Sequence, residues 1–148
     1  MEKLNIYLDN CCYSRPFDDL SIGNNGLEAT AKMFIQSLIT YNIVSLCYSY
    51  MTLHEINDIP FEENKQHIEK FVVNNADIYV SKANNNEIER LSNEIMQTGI
   101  KQKDATHIAC SIIAECDYFI TTDKRVLKYQ TNKIKIVNPI KFVEIWRA

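Results

Sequence analysis

The chain alternates between two kinds of apolar pattern. Short compact runs, too brief for helices, predict buried strands at Leu4 to Asp9, Ile43 to Cys47, Ile78 to Val80 and Tyr118 to Ile120, and Lys133 to Val137 alternates like a fifth. Between the runs, apolar residues recur three and four apart, which predicts helices. Leu27, Ala31, Phe34, Leu38 and Tyr41 mark one over Leu27 to Tyr41; Tyr50 to Ile56 is a short one. Phe61 to Asn74 has an apolar side of Ile68, Phe71 and Val72, and Glu87 to Thr98 carries Ile88, Leu91 and Ile95. Asn84-Asn85-Asn86 is the expected cap of that last helix and Gly99 its stop, while Pro60 ends one helix or opens the next.

The stretch Lys103 to Arg125, KDATHIACSIIAECDYFITTDKR, organises the rest. Ala105, Ile108, Ala109, Ile112, Ile113 and Cys116 predict a buried helical face, with Asp104, His107, Ser111 and Glu115 on the other side. The strand Tyr118 to Ile120 follows and runs out towards Asp123. A short helix over Val126 to Tyr129 and a terminal one over Pro139 to Trp146 complete the chain. Strands alternating with helices predict an α/β fold, a three-layer αβα sandwich around a central, mostly parallel sheet. No repeat, linker or low-complexity segment interrupts it, so residues 1–148 are expected to form a single domain.

Composition narrows the setting. At 46% apolar and 24% charged the chain is an ordinary folded protein. Its five cysteines include the adjacent Cys11 and Cys12 and no C-x-x-C spacing, against both a secreted disulfide framework and a zinc knuckle. A reducing cytoplasm is the expected location, because MEKLNIYLDN lacks the features of a signal peptide and no apolar run approaches the ~20 residues that span a bilayer. The net charge of −3 hides an asymmetry. Residues 1 to 100 hold 7 Lys or Arg against 14 Asp or Glu, residues 101 to 148 hold 9 against 5. A basic end can draw in a polyanion; the plain alternative is an unevenly charged solvated surface.

The chemistry lies in acids placed at strand ends. Asp9 and Asp123 each follow an apolar strand, and parallel strands end at one sheet edge, where ligands gather. Asp104 at a helix start and Glu55 on a short helix after a strand can point to the same edge. Four converging carboxylates favour a hard cation, Mg²⁺ or Mn²⁺, that activates water and offsets phosphate charge. Each acid also has a local explanation: Asp104 as a helix cap, Asp9 and Asp123 as turn or cap residues, Glu55 as a solvated helix residue. His107, one turn after Asp104, could contact a phosphate or serve as an acid, with a surface or partly satisfied ring as the plainer role. Cys47, Cys110 and Cys116 are expected in the core, and neither Cys11 nor Cys12 has a basic partner beside it in sequence to make it a nucleophile. His54 and His67 lack zinc-ligand spacing, and no G-x-x-x-x-G-K or G-x-G-x-x-G phosphate cradle occurs.

In their order and spacing, Asp9 after the first strand, Glu55 on a helix, the run Asp104-Ala105-Thr106-His107-Ile108-Ala109 and Thr121-Thr122-Asp123 after a strand resemble the PIN domain, over nearly the whole chain. The resemblance implies an αβα sandwich and a Mg²⁺- or Mn²⁺-dependent ribonuclease such as the VapC-type toxins of bacterial toxin–antitoxin pairs. It implies that Asp9, Glu55, Asp104 and Asp123 form the acidic metal-holding quartet and that Thr121 helps position the site. Asn10 with Thr121 would hydrogen-bond nearby, and Arg15, Lys124 and Arg125 would hold the RNA backbone. A small antitoxin and a second copy of the chain are the implied protein partners. Two features depart from the pattern: Asp9 is followed by Asn10-Cys11-Cys12 rather than a small hydroxyl residue and Asn, and Val126-Leu127 replaces an aromatic after the last acid. The alternatives are a PIN-like module that grips RNA or protein without cleaving, and a phosphatase, which would need an acid where Cys11 stands.

Overall fold

The computed structural model describes residues 3–13 and 25–148; Arg15 and the rest of the predicted loop after Tyr13 lie outside them. Five strands, β1 (Asn5–Leu8), β2 (Ser45–Ser49), β3 (Ala76–Val80), β4 (Tyr118–Ile120) and β5 (Lys135–Val137), form one sheet in the order β3-β2-β1-β4-β5. Every neighbouring pair is parallel, with Ile6 opposite both Leu46 and Tyr118 and Leu8 opposite Ile120. The helices are α1 (Asn25–Thr40), α2 (Tyr50–Asn57), α3 (Glu62–Asn75), α4 (Asn85–Met96), α5 (Gln102–Ile113), α6 (Lys124–Leu127) and α7 (Pro139–Arg147).

Side-chain alternation along the strands divides the interior into two layers. Ile6, Leu8, Leu46, Tyr118 and Ile120 meet Ile35, Leu38 and Ile39 of α1, Ile56 of α2, Ile68 and Val72 of α3 and Phe142 of α7 on one face. Tyr7, Cys47, Val80 and Phe119 meet Ile88, Leu91 and Ile95 of α4 and Ala105, Ile108, Ala109 and Cys110 of α5 on the other. This is the expected three-layer αβα sandwich. Among the described residues no helix is long and apolar enough to cross a membrane.

The strand order places the functional edge. From β1 the chain builds β2 and β3 to one side, then crosses back to add β4 and β5 on the other. The carboxyl ends of β1 and β4 therefore flank the point where the direction of winding reverses, which is where open parallel sheets leave a crevice.

Several elements depart from the apolar pattern. β2 runs from Ser45 to Ser49 rather than Ile43 to Cys47, because ladder pairing to β1 and β3 decides a strand's limits; Ile43 is left exposed. On α1, Ala31 and Leu38 are buried as the stripe predicts, but Leu27 is 64% and Tyr41 76% exposed, and Ile35 and Ile39 fill the core instead. α4 starts at Asn85 without a side-chain cap from Asn84, since a 3-10 turn over Lys82–Asn84, capped by Ser81, leads into it. The short helix after Asp123 spans Lys124–Leu127 rather than Val126 to Tyr129.

Candidate active site

Asp9 leaves β1 at the sheet edge and is only 8% exposed. Its backbone continues the ladder, Asp9 N–H donating to Ile120 C=O at 2.9 Å, so its carboxylate is fixed beside the end of β4. There Thr121, the first residue beyond β4 and fully buried, donates its hydroxyl to Asp9 Oδ2 at 2.7 Å. The other carboxylate oxygen accepts the Asn10 N–H at 2.8 Å, which caps the 3-10 turn Asn10–Cys12. Thr121 Oγ1 also accepts the Asp123 N–H at 3.1 Å. One hydroxyl thus ties together two strand-terminal acids. Asp123 in turn caps α6, its Oδ1 accepting the Arg125 N–H at 2.9 Å.

Asp104 approaches from the other side, in the first turn of α5. It does not cap that helix: Lys101 holds the cap position with no side-chain bond. Burial raises its carboxyl above the ordinary range, and the negative fields of Asp9 and Asp123 add to this. With Asp123 it lines a cleft of about 110 Å³, together with Lys101 and Arg125. Asp9, Asp104 and Asp123 therefore share one electrostatic neighbourhood.

Glu55 follows a different logic. Ser49 at the end of β2 caps α2, its hydroxyl accepting the Met51 N–H and its own N–H donating to Thr52 Oγ1. Glu55, one turn further on, accepts from Nε2 of His107. Burial would raise the Glu55 carboxyl, but the His107 bond and charge, with Lys103 and His54 adding, outweigh this and hold it below the ordinary range. The opposite ring nitrogen, Nδ1, lies 2.5 Å from the Tyr7 hydroxyl, which also meets Ser49 Oγ at 2.7 Å and Thr52 Oγ1 at 3.2 Å. A carboxylate can only accept, so Nε2 carries the hydrogen of the bond to Glu55. Burial, with the Cys110 sulfur adding, pushes the Tyr7 phenol well above its usual value, so the hydroxyl keeps its proton.

His107 is accordingly not a surface ring: it is 0% exposed, and Ser111 one turn on is buried too, so the expected polar side of α5 is partly a second interior face. Two satisfied ring nitrogens make that burial affordable. Sequence reasoning missed the network of Tyr7, Ser49, Thr52 and His107. Its one signal was a tyrosine within a strand enclosed on both faces, whose hydroxyl must find a partner.

The remaining predicted residues sit around this edge. Asn10 supplies its backbone N–H to Asp9, and Lys124 and Arg125 are exposed in the first turn of α6. Cys11 accepts the Thr122 N–H at 3.5 Å, and its hydrogen bond with the Cys12 thiol holds the Cys11 thiol below the ordinary range. Cys47, Cys110 and Cys116 are core residues as expected.

The donors at the edge are carboxylate oxygens in a field that already penalises Asp104 as an anion, the chemistry that suits a hard divalent cation. Among the described residues, however, no three His, Cys, Asp or Glu side chains are grouped to hold a metal ion. The Asp9 carboxylate is turned onto Thr121 and Asn10, and that of Asp123 onto the α6 amide. The set fits such an ion in kind, with side-chain adjustment needed to close around it.

No family model matches the chain, and no curated protein matches it in sequence. Solved structures do. VapBC2 from Rickettsia felis, bound to a DNA fragment from its promoter, is similar with a TM-score of 0.59 at 12% identity, over 91% of this chain and 98% of that one. FitAcB from Neisseria gonorrhoeae is similar with a TM-score of 0.54 at 16% identity, over 90% of this chain and 97% of that one. At such identities the likeness speaks for architecture alone. The chain has a PIN-like αβα fold, shared with these two structures.

Proposed function

We propose that the chain is a Mg²⁺- or Mn²⁺-dependent endoribonuclease and the toxin of a toxin–antitoxin pair. The observation that supports this most directly is the cluster of acids at the winding reversal: Asp9 and Asp123 joined through the Thr121 hydroxyl, with Asp104 held in their field. Asp9, Asp104 and Asp123 would hold the ion. Bound there, it would supply an activated water and offset charge on the phosphate. Thr121 orients the Asp9 carboxylate; Glu55, engaged by His107, acts as a positioning residue at the same edge. Lys124 and Arg125 hold the RNA backbone.

The similar VapBC2 and FitAcB structures favour a small antitoxin as partner, and homodimerisation is part of the same reading. The test is cleavage of RNA with Mg²⁺ or Mn²⁺ by the parent and by folded Asp9→Asn and Asp104→Asn proteins. The reading requires product from the parent alone; equal rates for all three sink it. Growth arrest relieved by a small co-expressed protein tests the toxin role, and light scattering tests the dimer. A module that grips RNA without cutting it is the second reading, favoured by the local hydrogen bonds that occupy Asp9 and Asp123. It expects RNA bound and left intact whatever the metal.

A further inference from the structure

The acidic cleft continues into a larger one. Gly99, Ile100 and Arg125 line both; the second, of about 430 Å³, is completed mainly by Lys128, Tyr129 and Gln130. We propose that this second cleft is a nucleotide subsite, taking an unpaired nucleotide beside the phosphate at the acidic edge, with its base on the Tyr129 ring and its phosphate against Arg125 and Lys128. The inference rests on the ribonuclease reading and adds to it a requirement for single-stranded RNA.

Four observations carry it. The volume lies in the range of small-molecule sites. Arg125 and Lys128 are exposed and, among the described residues, neither has a carboxylate partner, whereas Arg90 and Lys133 nearby both pair with Glu94. Unneutralised cations on the wall of a cleft are a site for anions. Tyr129 is half-buried, packed against the α4–α5 side of the core, and lines the cleft, so packing limits the motion of an aromatic side chain on its wall. Aromatic rings held in this way beside basic groups stack bases irrespective of sequence. Finally, the two clefts share Gly99, Ile100 and Arg125 as a wall, so a strand whose phosphate reaches Asp104 and Asp123 can extend into the cleft that Tyr129 lines. A base can reach that ring only after leaving its stack, which excludes duplex.

The experiment reads binding, so it stands apart from cleavage. Affinity of the full chain for a short fluorescent single-stranded RNA of mixed sequence is measured by anisotropy in Ca²⁺, for the parent and for Tyr129→Ala, Tyr129→Phe, Lys128→Ala and, as a distant control on α3, Lys70→Ala. Tyr129→Ala and Lys128→Ala are expected to weaken binding on the order of tenfold; Lys128→Ala should also lower the salt slope by about one. Tyr129→Phe and Lys70→Ala should bind like the parent, and duplex RNA of the same sequence should bind at least about tenfold more weakly. Parental affinity in both alanine variants at the cleft, or equal binding of duplex, overturns the subsite. If the Tyr129→Ala chain fails to fold, the exposed Lys128→Ala change and the duplex comparison decide. RNA left intact with Mn²⁺ would instead count against the ribonuclease reading, while loss of binding in the variants would still uphold the subsite.

Discussion

Thr121 donates its hydroxyl to Asp9 across 2.7 Å while accepting the backbone N–H of Asp123, so a single side-chain oxygen sets the spacing of two acids that follow different strands. Leu8 and Ile120 lie opposite each other in the β1–β4 ladder, and the residue after each is therefore delivered side by side. Thr121→Val keeps the shape and removes the oxygen, leaving a buried carboxylate oxygen and an amide without that partner. The expected loss is about 1–3 kcal/mol in unfolding free energy. RNA cleavage should fall by at least about tenfold, the rate equivalent of roughly 1.4 kcal/mol of misplacement in the transition state. Denaturant unfolding and cleavage assays on one preparation check both; an unchanged midpoint with full activity would show that the bond carries no weight.

Tyr7 gives a second prediction. Its hydroxyl joins His107, Ser49 and Thr52 in the interior, and its ring stacks on Phe119 with centroids 5.4 Å apart. Tyr7→Phe preserves the stacking and orphans the hydrogen-bond partners, at an expected cost of about 1–3 kcal/mol. With Nδ1 unsupported, the ring that engages Glu55 loses its anchor. Cleavage should slow while affinity for single-stranded RNA stays at the parental value, which separates positioning from contact.

Backbone geometry supplies a third. α5 ends with Cys116 N–H on Ser111 C=O at 3.0 Å and Glu115 N–H on Ile112 C=O at 2.9 Å, the two bonds of a Schellman cap. The residue between, Glu115, has φ 57°, a conformation that favours glycine. Glu115→Gly is expected to stabilise the protein by about 0.5–1 kcal/mol. The side chain is exposed and far in sequence from the acids, so cleavage should be unaffected; a lower melting temperature would refute the cap argument.

The sheet and the acidic edge were legible because they follow from burial and pairing. Tyr118 to Ile120 can only be an enclosed strand, and an acid just past such a strand must emerge at its carboxyl end, which located Asp9 and Asp123. The interior of α5 was not legible in the same way. His107 and Ser111 look polar to a periodicity argument, and only the Tyr7 hydroxyl and Glu55 on other elements make the histidine's burial possible. The same limit applies to α1, where Ile35 and Ile39 rather than Leu27 and Tyr41 face the core, because two overlapping apolar stripes satisfy one helical spacing. Local rules placed the acids; which of them are tied up in hydrogen bonds depended on contacts between residues some hundred positions apart.

Asp104 and Glu55 should respond to pH with opposite signs. The folded chain holds the Asp104 proton more tightly than the unfolded chain does, so its contribution favours folding in acid and is lost as pH rises from the ordinary carboxylate range, near pH 4, through its raised folded value. Asp104→Asn should therefore raise the melting temperature at pH 7, by an amount that solvent screening of this half-buried group keeps small, and the gain should vanish in acid. Glu55 is held low, so its contribution is present above the ordinary carboxylate range and is lost as pH falls through the folded value. Glu55→Gln should lower stability at neutral pH and converge on the parent in acid. Mn²⁺ adds a further readout: a site built from Asp9, Asp104 and Asp123 should stabilise the parent by about 1.4 kcal/mol for each tenfold excess of ion over its Kd, and Asp104→Asn, already relieved of its charge, should gain far less. Equal Mn²⁺ shifts in the parent and the Asn variant would place the ion elsewhere and remove Asp104 from the site.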